Sequence, residues 1–290
     1  MDTSSPGVVV VGSLHYDIMV AAPHRPAAGE TVQGDRWYPK FGGKGGNQAV
    51  AAVKAGASVR MLGAVGDDAF GPFLRENLRR CGVDDGFVAT LPGRSSGMSV
   101  AISDASGDYG AVIVSGANLA IDLAELDRDE LWADAAVLVL QNEIADEANL
   151  AAARAARARG VRVCLNAAPY RRLSTELSTL VDVLVVNGLE AASLSGVEVG
   201  DLVGAEQAAR ELSQSFPVVV VTAGGDGVAV AEGDGGSFTL PAEKVTLIST
   251  HGAGDMFTGT LAGAMGRGAS LADAVAQANK AAAKHVAGLR

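Results

Sequence analysis

Cysteine is almost missing from this chain: Cys81 and Cys164 are the only two among 290 residues. That leaves no basis for a disulfide framework and points to a reducing, cytoplasmic setting. Long apolar runs are missing too. None approaches the about 18 residues that a membrane span needs, and the N-terminal MDTSSPGVVVVGS has no basic segment leading into an apolar stretch. A soluble protein with no membrane partner is expected. Positive charge is in deficit, with 23 Lys and Arg against 33 Asp and Glu for a net charge of −10. Such a field disfavours nucleic acid, so an anionic ligand would need a local pocket of positive potential. No His/Cys/Asp spacing suggests zinc, and no repeat, linker or low-complexity stretch is visible.

What is present is glycine, 37 residues of it, within a chain that is 48% hydrophobic. The apolar runs VVVVG (8–12), VLVL (137–140), VRVCL (161–165), VLVV (183–186) and PVVVVT (217–222) read as short buried strands. Between them, NQAVAAVKAG (47–56), FLRENLRRCG (73–82), EANLAAARAARARG (147–160) and AEQAARELSQS (205–215) show helical spacing, and the first three end on glycine. The last 36 residues, from Asp255, read as two helices. Alternation of strand and helix predicts one α/β domain over residues 1–290, a three-layer α/β/α arrangement with a mostly parallel central sheet. Residues 13–43, with three prolines, and 95–115, where MSVAI and AVIV flank DASGDYG, break the alternation. They read as a small β lid over a site at the strand ends.

Four stretches could carry chemistry. In GAGD (252–255), small residues open a helix whose first amides gather positive potential, so Gly252, Ala253 and Gly254 can form an anion hole. Asp255 beside them is either a helix cap or a general base. FGGKGGNQAV (41–50) puts four glycines around Lys44, but Asn47 and Gln48 follow where a phosphate-binding loop needs lysine and a hydroxyl. Gly42, Gly43 and Asn47 suit a polyhydroxylated ligand, or else form a tight turn with Asn47 as N-cap. GSLHYD places His15 and Asp17 after the first strand, where a carboxylate can take two hydrogen bonds from vicinal hydroxyls. TAGGDG (222–227) offers glycines to a nucleotide, and Asn187 and Glu190 follow the strand VLVV, Glu190 being suited to magnesium through water. A dinucleotide-binding G-x-G-x-x-G is absent after the first strand.

Taken in order, GSLHYD, GGKGGNQA, GAN (116–118), QNE (141–143), NGLE (187–190), TAGGDG and GAGD resemble the ribokinase-like branch of the PfkB carbohydrate kinases, from Val8 to about Ala283. The resemblance implies phosphorylation of a primary hydroxyl of a pentose or similar small sugar, with ATP and Mg2+, and a homodimer formed through the lid. It implies that Asp255 is the base and that the amides of Gly252 to Gly254 receive the migrating phosphoryl group. It assigns Asp17, Gly42, Gly43, Lys44, Asn47 and Glu143 to the sugar, with His15 beside Asp17. Asn187, Thr222, Gly225, Gly227 and Asn279 fall to the nucleotide, and Glu190 to magnesium. Against the family pattern, His15 and Tyr16 stand where asparagine and alanine are usual, which reshapes the sugar pocket. They leave open a nucleoside kinase, in which His15 and Tyr16 contact a base. Ser249 stands where an aspartate helps hold K+, and the chain ends at Arg290, before the segment that usually completes that site. A sugar or nucleotide sensor without efficient transfer is the remaining alternative.

Overall fold

The computed structural model describes residues 7–104 and 109–289, and its main feature is a nine-stranded sheet. Its strands are β1 (Gly7–Val11), β4 (Ser58–Gly66), β5 (Asp84–Leu91), β8 (Ala135–Gln141), β9 (Arg162–Asn166), β10 (Val183–Asn187), β11 (Val218–Thr222), β12 (Gly227–Glu232) and β13 (Ser237–Pro241). They lie in the order β13-β12-β11-β10-β9-β8-β1-β4-β5. All neighbours are parallel except at β11-β12 and β12-β13. Valine-rich strands with both faces buried are what a parallel sheet covered on two sides demands. Residues 8, 10, 137 and 139 belong to one apolar core, and residues 9, 11, 138 and 140 to the other.

Nine helices supply the two covers among the described residues. They are α1 (Lys44–Lys54), α2 (Phe70–Arg80), α3 (Asp129–Trp132), α4 (Asp146–Ala158), α5 (Thr175–Leu180), α6 (Gly188–Ser195), α7 (Leu202–Leu212), α8 (Ala253–Gly266) and α9 (Leu271–Val286). Glycines 56, 82 and 160, which close three of the predicted helices, all have φ between 71° and 87°. This is the left-handed conformation that ends a helix at little cost in glycine.

A second sheet of β2 (His15–Ala21), β3 (Arg36–Gly42), β6 (Gly97–Ser103) and β7 (Tyr109–Val114) has the order β3-β2-β6-β7. Its outer pairs are antiparallel and its central pair, β2-β6, is parallel. The expected turn DASGDYG falls largely on residues outside the described ones. His15 and Asp17 sit on the lid strand β2, inside the expected lid segment 13–43 and just after β1. Successive side chains on a strand point to opposite faces, and this corrects the reading of Tyr16. While His15 and Asp17 face the cavity, Tyr16 faces away and stacks on Phe70 at 4.1 Å, with Phe73 edge-on at 4.8 Å.

In the main sheet the chain runs from β1 to β4 on one side and later returns to β8 on the other. The order of the strands thus reverses direction between β1 and β8, and in open α/β sheets a ligand crevice opens beyond the strand ends at such a reversal.

Candidate active site

The crevice is a cavity of about 700 Å³ beneath the lid. Its floor comes from residues at or just past the carboxyl ends of the central strands, including Glu143, Asn166, Asn187 and Thr222. Its lid wall includes His15, Asp17, Met19 and Ser99. The turn into α1 adds Gly43, Lys44 and Asn47, and the start of α8 adds Gly252, Ala253, Gly254 and Asp255. Glu190 also faces it. A second cavity of about 480 Å³ shares Thr222, Gly224, Ala253 and Gly254 with the first. Gly225, Gly227 and Asn279 line that second space, with Val245, Leu247 and Phe257 as its apolar wall.

Asp255 occupies the third position of α8 and does not cap it. The cap is Gly252 in the left-handed conformation (φ 82°), with no side chain closing the helix end. The Asp255 carboxylate instead accepts from Asn47 Nδ2 at 3.1 Å and from Gln48 Nε2 at 3.0 Å. Asn47 is therefore no N-cap either; that position of α1 belongs to Gly43. The two amides reach Asp255 because α1 and α8 approach very closely. A Cβ at Gly259, one turn along α8 from Asp255, would overlap the Gln48 carbonyl. Burial raises the pKa of Asp255, against the pull of Lys44 and the two amide donors, with Glu143 adding to the rise. Although only 7% exposed, the residue lines the open cavity.

Of the amides at the start of α8, Ala253 N–H is already engaged, donating to Thr250 O at 3.2 Å. Those of Gly252, Gly254 and Asp255 make no backbone hydrogen bond among the described residues. A Cβ at Gly254 would stand in open space, so the main chain there is bare toward the cavity. Unpaired N–H groups at a helix start are a ready anion site.

The acids expected to meet the sugar are tied down individually. Asp17 accepts from Ser99 Oγ at 2.5 Å, and burial outweighs that bond in raising its pKa. Gly42 does not line the cavity; it leaves room for Asp17, whose carboxylate would overlap a Cβ there. Glu143 Oε2 accepts from Ser13 Oγ at 2.6 Å and from Lys44 N–H at 2.8 Å, with His15 Nδ1 3.8 Å away. His15 Nε2 is buried without a hydrogen-bond partner. Asn118, of the GAN stretch, holds the β1-β2 connection through both its amide groups, exchanging bonds of 2.9 Å with Leu14 N and O.

On the other side, Asn187 and Glu190 form a reciprocal capping box on α6, each bond being 2.9 Å long. Burial raises the Glu190 pKa. Asn279 Nδ2 donates to Pro241 O at 2.9 Å. TAGGDG makes the reverse turn into β12, where a Cβ at Gly227 would overlap the Leu240 carbonyl. Gln48, Ser99, Asn166 and Ser13 belong to the site although no sequence signal singled them out. The i, i+4 glycines 259 and 263 of α8 were a usable pointer to Gln48.

Residues 5–288 match the family model described as pfkB family carbohydrate kinase. The chain belongs to the PfkB family. It is thus a carbohydrate kinase, a phosphotransferase with an alcohol group as acceptor. It is 33% identical to the ribokinase of Haemophilus influenzae, over 95% of this chain and 90% of that one. To the deoxyribokinase of Salmonella typhi it is 33% identical, over 88% and 84%. The solved structure of Arabidopsis thaliana ribokinase complexed with ribose and ATP superposes with a TM-score of 0.89 at 30% identity, covering 97% and 93%. In this PfkB kinase the expected three-layer fold, mostly parallel sheet and small lid sheet are all present. No helix among the described residues is long and apolar enough to cross a membrane.

Proposed function

We propose that this kinase transfers the γ-phosphoryl group of ATP to the primary hydroxyl of a ribose-like pentose, with Asp255 as the general base. One observation carries the reading: a carboxylate whose two oxygens are oriented by Asn47 and Gln48 shares a cavity, and a helix turn, with the unpartnered amides of Gly252 and Gly254. A hydroxyl lodged against Asp255 loses its proton there as its oxygen attacks phosphorus. The amides meanwhile stabilise charge on the migrating group, with Asp255 N–H replacing that of Ala253 in the anion hole.

The sugar is bound by Asp17, Glu143, Asn47 and Lys44, and by the unpartnered Nε2 of His15. The nucleotide runs from the anion hole past Asn187 and Thr222 into the second cavity, along Gly225, Gly227 and Asn279. That cavity has an apolar wall from Val245, Leu247 and Val286 for the adenine to pack against. The described residues hold no cluster of three potential metal ligands. Magnesium carried on the phosphates needs only one or two carboxylates, and Glu190 supplies one. When bound, the ion would neutralise charge on the β- and γ-oxygens. For potassium the donors do not fit. Ser249 brings no carboxylate, and the His251 carbonyl is hydrogen-bonded to His285 Nε2 at 2.9 Å. Turnover with little dependence on a monovalent ion is therefore the expectation.

Tyr16 packs against α2 and is unavailable to stack on a base, so of the two residues behind the nucleoside reading only His15 faces the cavity. The lid's outer face bears Trp37, 65% exposed, and Val112, 69% exposed; a second copy covering it makes a homodimer, to be read by light scattering. The test of function is one panel of ribose, deoxyribose, ketohexoses and nucleosides with Mg·ATP, and phosphorus NMR of the products. Phosphate on the primary hydroxyl of a pentose is expected. Turnover of nucleosides alone, or binding of sugar and ATP without product, would refute it.

A further inference from the structure

Lys40 lies on β3 opposite Asp17, and that register row continues through Ser99 to Ile113. Asp17, Ser99 and Ile113 all line the main cavity. Directly opposed residues point to the same side of a sheet, so Lys40 stands at the β3 end of a row across the lid's inner face. Lys40 is half-buried, and that burial lowers its pKa, opposed by the charges of Asp17 and Asp255. His251, on the loop before α8, also has its pKa lowered, by burial first and by Lys40 next. Lys40 and His251 thus both feel the charge of Asp255 at the start of α8, and Lys40 that of Asp17 as well. Lys40 nevertheless makes no ion pair or hydrogen bond with a described residue. A half-buried ammonium that no carboxylate pairs with directly is available to an anionic ligand.

We propose that Lys40 is a catalytic residue whose ammonium meets the γ-phosphoryl group as it passes from ATP to the sugar. The inference rests on the kinase function proposed above. In the step, the sugar hydroxyl gives its proton to Asp255 and its oxygen forms the new bond to phosphorus. The bond from phosphorus to the bridging oxygen breaks, and its electron pair leaves on ADP. Lys40 transfers no proton; it neutralises charge on the peripheral oxygens, opposite the amides of α8. An acid group on the sugar is a poorer partner, because Asp17, Glu143 and Asp255 would repel it at that end of the cavity.

Lys40→Met keeps the aliphatic stem and removes the charge. With thermal melting to show that the variant is folded, kcat is expected to fall about 10²–10³-fold while sugar KM and ADP affinity stay within about twofold. Lys40→Arg should recover part of the loss. Independently of turnover, ADP with aluminium fluoride, a mimic of the transferring group, should bind the Met variant more weakly by a similar factor. Unchanged kcat in Lys40→Met would overturn the inference and leave the kinase function standing. So would equal weakening of ADP alone, which marks a structural role, or a loss confined to sugar acids and sugar phosphates. Wild-type protein that phosphorylates no sugar would remove the function first, and this inference with it.

Discussion

At one end of the cavity the ligand-facing groups are charged side chains held by other side chains, while at the other glycine main chain and hydrocarbon dominate, with Glu243, Lys244 and Asn279 at the margin. Asp17, Glu143 and Asp255 each have a fixed donor, from Ser99, Ser13 or the pair Asn47 and Gln48. The donor end instead presents Gly224, Gly225, Gly227 and Gly254 beside Val245, Leu247 and Phe257. The contrast matches what each end would hold. A polyol is read by directional hydrogen bonds, whereas a polyphosphate is held by amides and a flat base by contact area. Damage should therefore be separable: the sugar end is sensitive to single polar atoms, and the nucleotide end is more tolerant.

That separation can be broken or sharpened by substitution. The largest effect is expected from Gly259→Val, which forces α1 and α8 apart where a Cβ already overlaps the Gln48 carbonyl. Overpacking should cost about 3 kcal/mol or more, read as a lower Tm, and remaining folded protein should lose turnover because Gln48 no longer reaches Asp255. Next, Asp17→Ala removes a charged acceptor of hydrogen bonds worth about 1.5–3 kcal/mol. A rise of about tenfold or more in sugar KM is expected, with ATP affinity unchanged; a matching change in ATP affinity would deny the separation. Leu247→Ala trims only contact area at the nucleotide end, so ATP affinity should weaken about fivefold and sugar KM should hold. The smallest effect is the exchange of K+ for Na+ or tetramethylammonium, which should change kcat by less than about twofold. A large activation by K+ would show that Ser249 and the loop before α8 build a cation site without the carboxylate.

The contrast also explains what the sequence disclosed. The five valine-rich runs became β1, β8, β9, β10 and β11, because period and burial are local properties of a parallel strand. SVRMLGAVG and DDGFVATL, which form β4 and β5, carry arginine, glycine and acids at their ends and gave no clear run. β12 and β13 were hidden because a glycine turn does not announce that the next strand reverses direction. Asp255 was found by its small-residue turn, yet the choice between cap and base depends on Asn47 and Gln48, more than 200 residues away in sequence. Tyr16 was misplaced for the opposite reason: one step along β2 turns a side chain to the other face, and the residues alone did not fix which face meets the ligand.

Because burial raises its pKa, Asp255 also sets a pH dependence. The base works as a carboxylate, so kcat should fall as pH drops through a value above the ordinary aspartate range, a limb that a bell-shaped rate profile displays. The most direct test is single-turnover phosphoryl transfer by Asp255→Asn, with sugar and ATP affinities measured on the same sample. Loss of about 10²–10⁴-fold in the transfer rate, with both affinities near wild type, is the predicted result. Near-normal transfer by the asparagine variant would contradict the account, because the proton would then have another acceptor.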